Sequence, residues 1–97
     1  EESPEGLMAR RSVELAPRAL RDLRKPPPGA RKNILADLSI LKTTPWPSPP
    51  KIKKLKGYEL YRLRTGEYRS IFEVRGQTAV ILRGIDRKDF ERILRAL

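Results

Sequence analysis

The stretch GYELYRLRTGEYRSIFEVRGQTAVILRGI, residues 57–85, decides the fold. Three runs rich in apolar and β-branched residues are separated here by the turn signals TGE at 65–67 and GQ at 76–77. Alternation with a period of two predicts β-strands, and short glycine-containing turns join such strands into an antiparallel meander. The third run, TAVILRGI, is apolar enough for a central strand that is buried on both faces.

Two short helices are predicted before the meander. Pro17 suits the first turn of a helix that carries Leu20 and Leu23, and KPPPG ends that helix because proline cannot continue it. Residues 30–41 have their apolar side chains at the spacing of one helical face. These side chains are Ile34, Leu35, Leu38 and Leu41.

The ends of the chain complete the pattern. RRSVELA predicts a first strand, and DRKDFERILRAL predicts a last helix with Asp86 as its N-cap. The expected fold is α+β with the order β-α-α-β-β-β-α, in which a helix pair covers one face of an antiparallel sheet and a C-terminal helix follows. Residues 1–7 predict a flexible leader, Met8 is a candidate natural start, and residues 8–97 form the expected domain.

A proline-rich loop, KTTPWPSPP at 42–50, precedes the meander and must be extended. Its single tryptophan, Trp46, has two candidate roles: stacking on a nucleic-acid base, or folding back to cover the core. We expect the second role, because a lone loop tryptophan usually buries its large ring.

The charge balance indicates a polyanionic partner. The chain has 22 Lys and Arg against 12 Asp and Glu, a formal net charge of +10, which suits nucleic acid or an acidic protein segment. It has no cysteine and no histidine, which excludes disulfides, thiolate nucleophiles and the usual general base. No apolar run approaches the ~20 residues of a membrane span. We therefore expect a cytoplasmic protein that needs neither a cofactor nor a metal.

Arginines are expected to gather on one face of the meander. If Arg62 and Arg64 face the same way as Arg69 and Arg83, four guanidinium groups meet there, and Arg87 lies just past the third strand. Like charges on one face repel each other, so a fold tolerates them best when an anion neutralises them. Phosphate suits best, because the guanidinium fork binds it with two parallel hydrogen bonds.

Further residues are candidates for steering and for proton transfer. The lysines of KIKKLKG are expected to contact phosphates without reading sequence; they are Lys51, Lys53, Lys54 and Lys56. RNA carries its own nucleophile, the 2′-OH, so its cleavage requires charge stabilisation and two proton transfers rather than a histidine. The candidates for proton transfer are Tyr61, Tyr68, Lys88 and Glu91.

These residues resemble a known family. The chain is similar to the RelE/ParE superfamily of toxins from toxin–antitoxin pairs. The resemblance lies in VELAPRALRDLRK, a proline break, a leucine-rich second helix, LKGYELYRLRTGEYRSIFEV and the later DRKDF. The resemblance to the RelE branch implies a ribosome-dependent mRNA interferase. Such an enzyme cuts messenger RNA by attack of the 2′-OH and leaves a 2′,3′-cyclic phosphate.

The resemblance also implies roles for particular residues. Arg69 matches the family's central catalytic arginine, Arg87 matches the second, and Arg62 matches a basic residue before the hairpin turn. Arg64, Arg83, Lys88, Tyr61 and the four lysines would then bind RNA or the ribosome.

Two positions depart from the RelE pattern. Leu60 replaces a lysine, and the tyrosine that follows the second arginine is absent, with Glu91 nearest to its place. Either Glu91 or a hairpin tyrosine then carries the proton, or nuclease activity is weak or lost.

Two other functions remain open on the sequence. The ParE branch shares the fold and inhibits DNA gyrase by binding it. A basic RNA-binding module without catalysis would also explain the charge. In either toxin branch the resemblance implies a cognate antitoxin, RelB-like for the RelE branch, whose disordered segment wraps the toxin into a heterocomplex and folds on contact.

Overall fold

A computed structural model describes residues 10–97. The predicted leader, residues 1–7, and the first two residues of the predicted domain, residues 8 and 9, lie outside the described residues. The elements are β1 (Ser12–Leu15), α1 (Pro17–Asp22), α2 (Pro28–Leu38), β2 (Ile52–Lys54), β3 (Tyr61–Thr65), β4 (Tyr68–Arg75), β5 (Thr78–Asp86) and α3 (Phe90–Ala96). Short 3-10 turns at Ser39–Lys42 and Arg87–Asp89 follow α2 and precede α3.

The strands form one five-stranded sheet in the order β1-β5-β4-β3-β2. The predicted α+β class, meander and helices are confirmed. Two details differ: β1 pairs with β5 in parallel, and an additional edge strand, β2, pairs with β3. β2 has three residues, of which two are lysines, so it is too short and too polar to show strand alternation.

The β3–β4 hairpin turns tightly at two residues. Thr65 pairs with Tyr68, which leaves Gly66 and Glu67 as the turn, and only Gly66 has a positive φ, 58°. A two-residue hairpin turn with glycine first has a twist that matches the strands. The turn fixes the register that places Arg64 opposite Arg69.

A hydrophobic core lies on each side of the sheet. The helix pair packs on one face, where Leu63 and Phe72 are fully buried. On the other face, Ile71 and Ile85 pack against Ile93 and Leu94 of α3. Burying one such side chain contributes about 1.5–3 kcal/mol, so each core stabilises the docking of its helices on the sheet.

Three leucines predicted at apolar positions are half exposed: Leu20, Leu35 and Leu97. Ile34, Leu38 and Leu41 are buried as predicted. The helices are short and the sheet covers only one stripe of each, so an apolar residue at the edge of the stripe stays in solvent.

Trp46 covers the core as predicted. Its ring meets Tyr61 and Phe72 edge-to-face at centroid distances of 5.7 and 5.5 Å, and its Nε1–H donates to the Leu41 carbonyl over 3.3 Å. Arg11 lies over the ring at 5.1 Å. Within residues 10–97 no helix is long and apolar enough to cross a membrane.

Candidate functional site

A groove of about 780 Å³ runs between the sheet and α3. Its lining combines six Lys and Arg side chains with one carboxylate, one phenol and three apolar side chains. The lining residues are Lys53, Leu55, Lys56, Tyr58, Arg62, Arg69, Arg87, Lys88, Phe90, Glu91 and Leu94. We call this set the basic groove.

The pairing of β2, β3 and β4 determines which face of the sheet carries the Lys and Arg side chains. Lys53 pairs with Arg62, and Arg64 pairs with Arg69. Directly paired residues of antiparallel strands point to the same face, and residues two apart on one strand do so as well. The four side chains therefore lie on one face, the face opposite to the helix pair.

These guanidinium groups repel each other. Partial burial lowers the pKa of Arg69, and the positive charges of Arg62 and Arg64 lower it further; the nearby Glu67 opposes this effect and Arg87 adds to it. Partial burial and the charge of Arg64 likewise lower the pKa of Arg62. The groove therefore holds uncompensated positive charge that an anion would neutralise.

Hydrogen bonds to carbonyl groups hold two of these arginines. Arg69 Nη1 donates to the carbonyl oxygens of Gly66 and Tyr68, at 2.9 and 3.1 Å. Arg62 Nη2 donates to the Pro50 carbonyl over 3.3 Å. In the part of the chain that the structure describes, neither arginine forms an ion pair with a carboxylate. Their charges stay available for a ligand.

The 3-10 turn at Arg87–Asp89 supplies the opposite wall. Asp86 accepts a hydrogen bond from the Lys88 backbone N–H over 3.0 Å, which confirms its predicted capping role one turn before α3. The Arg87 N–H donates to the Glu67 carbonyl over 2.8 Å, and the two side chains form an exposed ion pair. The hairpin turn thus positions Arg87 beside Arg69.

The structure brings together most of the predicted site. All four residues predicted as catalytic line the groove: Arg62, Arg69, Arg87 and Glu91. The predicted binding residues Lys53, Lys56 and Lys88 line it as well. Arg64 lies beside Arg69 at the hairpin end, next to a smaller cavity that it shares with Lys51.

Arg83 does not join the other arginines. It donates two hydrogen bonds to the carboxylate of Asp22 on α1, at 2.7 and 3.1 Å. A β-bulge leaves Leu82 over, and Arg83 pairs with Ile71 beyond it. The pairing of β1 with β5 ends at Ile81, so Arg83 lies at an edge of the sheet where its side chain reaches Asp22. The bond to Asp22 raises the pKa of Arg83 and ties its charge to the fold.

Other predicted residues also lie away from the groove. The Tyr61 ring stacks on Phe72 at 5.3 Å, and Tyr68 packs against the same core below the helix pair. Lys51 forms an ion pair with Asp37, and Lys54 lies within 3.8 Å of Glu59. The side chains of both hairpin tyrosines thus lie on the opposite face of the sheet from the groove, although each residue is adjacent in sequence to one of its arginines.

Sequence reasoning missed Tyr58, which lines the groove, and assigned Phe90 to the core alone. Tyr58 precedes β3 in a turn, where alternation gives no side-chain direction. The signal available was its place in GYEL, beside a lysine-rich segment. Across residues 10–97 no cluster of Asp and Glu side chains is suited to hold a metal ion.

Comparison with known proteins connects this geometry to a family. No protein-family model matches the chain. RelE1 of Methanocaldococcus jannaschii, a protein named as a candidate toxin, is 37% identical over 81 residues, which cover 80% of this chain and 90% of that protein.

Solved structures agree with this relationship. The RelB–RelE antitoxin–toxin complex of Methanococcus jannaschii matches with a TM-score of 0.68 and 30% identity, over 84% of this chain and 98% of that one. The archaeal RelE–RelB complex of Pyrococcus horikoshii matches with a TM-score of 0.68 and 28% identity, over 79% and 94%. The resemblance expected from the hairpin is confirmed, and the chain belongs to the RelE toxin family.

Proposed function

We propose that this chain is a ribosome-dependent endoribonuclease that cuts messenger RNA. The observation that carries the proposal is the convergence of Arg62, Arg69 and Arg87 on one groove that faces solvent. A folded protein tolerates such mutual repulsion most readily where an anion neutralises it. The phosphodiester backbone of RNA supplies that anion.

The proposed reaction is an in-line displacement at phosphorus. The 2′-OH of one ribose attacks the adjacent 3′ phosphate, a 2′,3′-cyclic phosphate forms, and the bond to the 5′ oxygen of the next nucleotide breaks. Negative charge builds up on the phosphoryl oxygens in the transition state. Arg69, with Arg62 and Arg87 beside it, stabilises that charge, and preorganised charge of this kind is usually the largest catalytic contribution.

Two protons must move in this step. The 2′-OH loses one, and the departing 5′ oxygen gains one. Glu91 is the carboxylate of the basic groove, so we assign it the acceptance of the first proton. Lys88, which carries an ammonium group on the same wall, is placed to donate the second.

The proposal includes a cognate antitoxin as the partner that restrains the enzyme. The RelE proteins of Methanococcus jannaschii and Pyrococcus horikoshii were solved in complex with RelB. Here Leu20 and Leu35 remain half exposed, and Val13, Leu15, Leu35 and Leu38 line a small cavity beside β1. An amphipathic segment would bury this apolar surface, and its acidic residues would neutralise the groove.

The test is mRNA cleavage by Arg69→Ala on programmed ribosomes. We expect a loss of about 10²–10³-fold in the cleavage rate, the usual effect of removing one charge-stabilising donor. Arg69→Lys should fall between this variant and the wild type, because lysine keeps the charge but not the guanidinium fork. Arg75→Ala, at the far end of β4, serves as the matched control and should cleave normally.

Cleavage by Arg69→Ala at the wild-type rate, with its fold verified by circular dichroism, would refute the site. A gyrase supercoiling assay runs in parallel. Intact mRNA together with inhibited gyrase would assign the chain the function of the ParE branch instead.

A further inference from the structure

The aromatic residues of the chain divide into two groups. The sequence has one Trp, three Tyr and two Phe. Trp46, Tyr61, Tyr68 and Phe72 pack in or against the core below the helix pair. The remaining two, Tyr58 and Phe90, line the basic groove on the other face.

A tight turn positions Tyr58. The Tyr58 N–H donates to the Leu55 carbonyl over 3.2 Å, and Gly57 has a φ of 84° at the third position of this turn. That conformation is typical of a type II turn and favours glycine. A second bond, from the Leu55 N–H to the Leu60 carbonyl over 2.9 Å, closes the loop. The phenol ring is therefore held by a defined backbone.

Tyr58 and Phe90 belong to one apolar wall. Both rings are half-buried and pack against the core that contains Leu55, Ile71 and Leu94, so each keeps part of its surface open to the groove. Leu55 and Leu94 line the groove beside them. The groove thus has a cationic wall and an aromatic wall. Packing against the core alone does not explain why these side chains keep part of their surface open to the groove.

We propose that Tyr58 and Phe90 form a stacking subsite for an unpaired RNA base, next to the arginines that bind the phosphate. This subsite rests on the proposed function in one respect, namely that RNA is the ligand of the groove. Aromatic rings beside a cationic channel are the usual means of holding single-stranded nucleic acid, because every base presents a flat face. A base within a duplex is already stacked on its neighbours and would gain little.

The experiment measures binding apart from cleavage. The probe is a short 2′-O-methyl RNA, which lacks the nucleophile, compared at fixed salt with an oligomer of the same length and phosphate number that lacks bases. Fluorescence anisotropy gives both dissociation constants for the wild type, Tyr58→Phe, Tyr58→Leu and Tyr58→Ala. The leucine variant retains apolar bulk, and thermal unfolding of each variant verifies its fold.

We expect the wild type and Tyr58→Phe to prefer the base-containing oligomer by about tenfold. We expect that preference to fall at least about threefold in Tyr58→Leu and Tyr58→Ala. An unchanged preference in these two variants, no preference in the wild type, or no binding at all would overturn the subsite.

The two proposals fail separately. If the protein cleaves mRNA on ribosomes but its base preference is unchanged in the Tyr58 variants, the endoribonuclease proposal is supported and the subsite is refuted. If the base preference requires Tyr58 but no condition gives cleavage, the subsite is supported and the endoribonuclease proposal is refuted.

Discussion

At the residue scale, single side-chain directions define the groove. Tyr61 and Arg62 are neighbours on β3, yet Tyr61 stacks on the core ring Phe72 while Arg62 lines the groove. Strand pleating produces this division, because successive side chains point to opposite faces. We therefore propose that proton transfer involves groups inside the groove, with Glu91 as the carboxylate among them, and not the hairpin tyrosines.

Glu91→Gln tests that assignment. We expect ribosomal cleavage to slow by roughly 10²-fold, the usual contribution of a positioned base, while mRNA binding stays equal or tightens because a negative charge has left the groove. Single-turnover cleavage and anisotropy measure the two effects. Glu59→Gln, whose side chain is 97% exposed outside the groove, is the control. A wild-type rate in Glu91→Gln would move proton transfer to Lys88 or Tyr58.

At the element scale, a few polar contacts join the helices to the sheet. Within residues 10–97, β5 has no partner strand on the β1 side beyond Ile81, and Asp22 of α1 lies along that edge. Its carboxylate accepts from the Gly84 N–H over 3.0 Å as well as from Arg83. Arg31 of α2 donates to the carbonyls of Leu23, Arg24 and Pro26, in the segment that follows α1. These bonds fix the position of α1.

Asp22→Ala tests the contact between α1 and β5. Asp22 is 5% exposed, so its loss leaves Arg83 and the Gly84 N–H without their acceptor. We expect the free energy of unfolding at neutral pH to fall by about 3 kcal/mol, typical of a broken buried pair. Urea titration measures the change. Glu59→Ala should remain at the wild-type value, and an equally stable Asp22→Ala would contradict this role.

The ion pair between Asp22 and Arg83 also predicts that the free energy of unfolding depends on pH. Burial alone would raise the pKa of Asp22, but the hydrogen bonds from Arg83 and Gly84 and the charges of Arg83 and Lys25 outweigh it and lower the pKa overall. A lowered pKa in the folded state means that the ionised group stabilises the fold above pH ~4, the ordinary aspartate value. The difference in stability between wild type and variant should therefore shrink as the pH falls below that value.

At the scale of the whole molecule, one sheet separates two environments. On the helix-pair side Trp46 and Tyr61 pack against the buried Phe72, whereas the α3 side combines a smaller core with the basic groove. The groove is assembled from β2, the loop between β2 and β3, β3, β4, the turn before α3, and α3 itself. Its six cations come from segments that span residues 53–88. No single element contains the site.

Salt dependence tests the groove as a unit. Releasing counterions from single-stranded RNA gives a slope of about −0.7 per phosphate contact in a plot of log affinity against log salt. If all six cations bind phosphate, the slope should be about −4 for the 2′-O-methyl RNA. Arg62→Ala should reduce its magnitude by roughly 0.7, while Arg75→Ala should leave it unchanged. A slope near zero would show that the groove does not bind the RNA backbone.

Local patterns were sufficient for much of this protein. The sequence by itself determined the α+β class and the gathering of the hairpin arginines on one face. Both follow from the alternation in residues 57–85, the proline breaks and the charge balance, which are matters of short-range periodicity and composition. The tertiary structure alone decided two further points. A contact between residues 61 positions apart, at the edge of β5 beyond its pairing with β1, bound Arg83 to Asp22. The docking of α3 against the sheet, with the turn at Gly57, selected Tyr58 as the tyrosine of the groove, since side-chain direction in a turn depends on long-range packing that no local pattern contains.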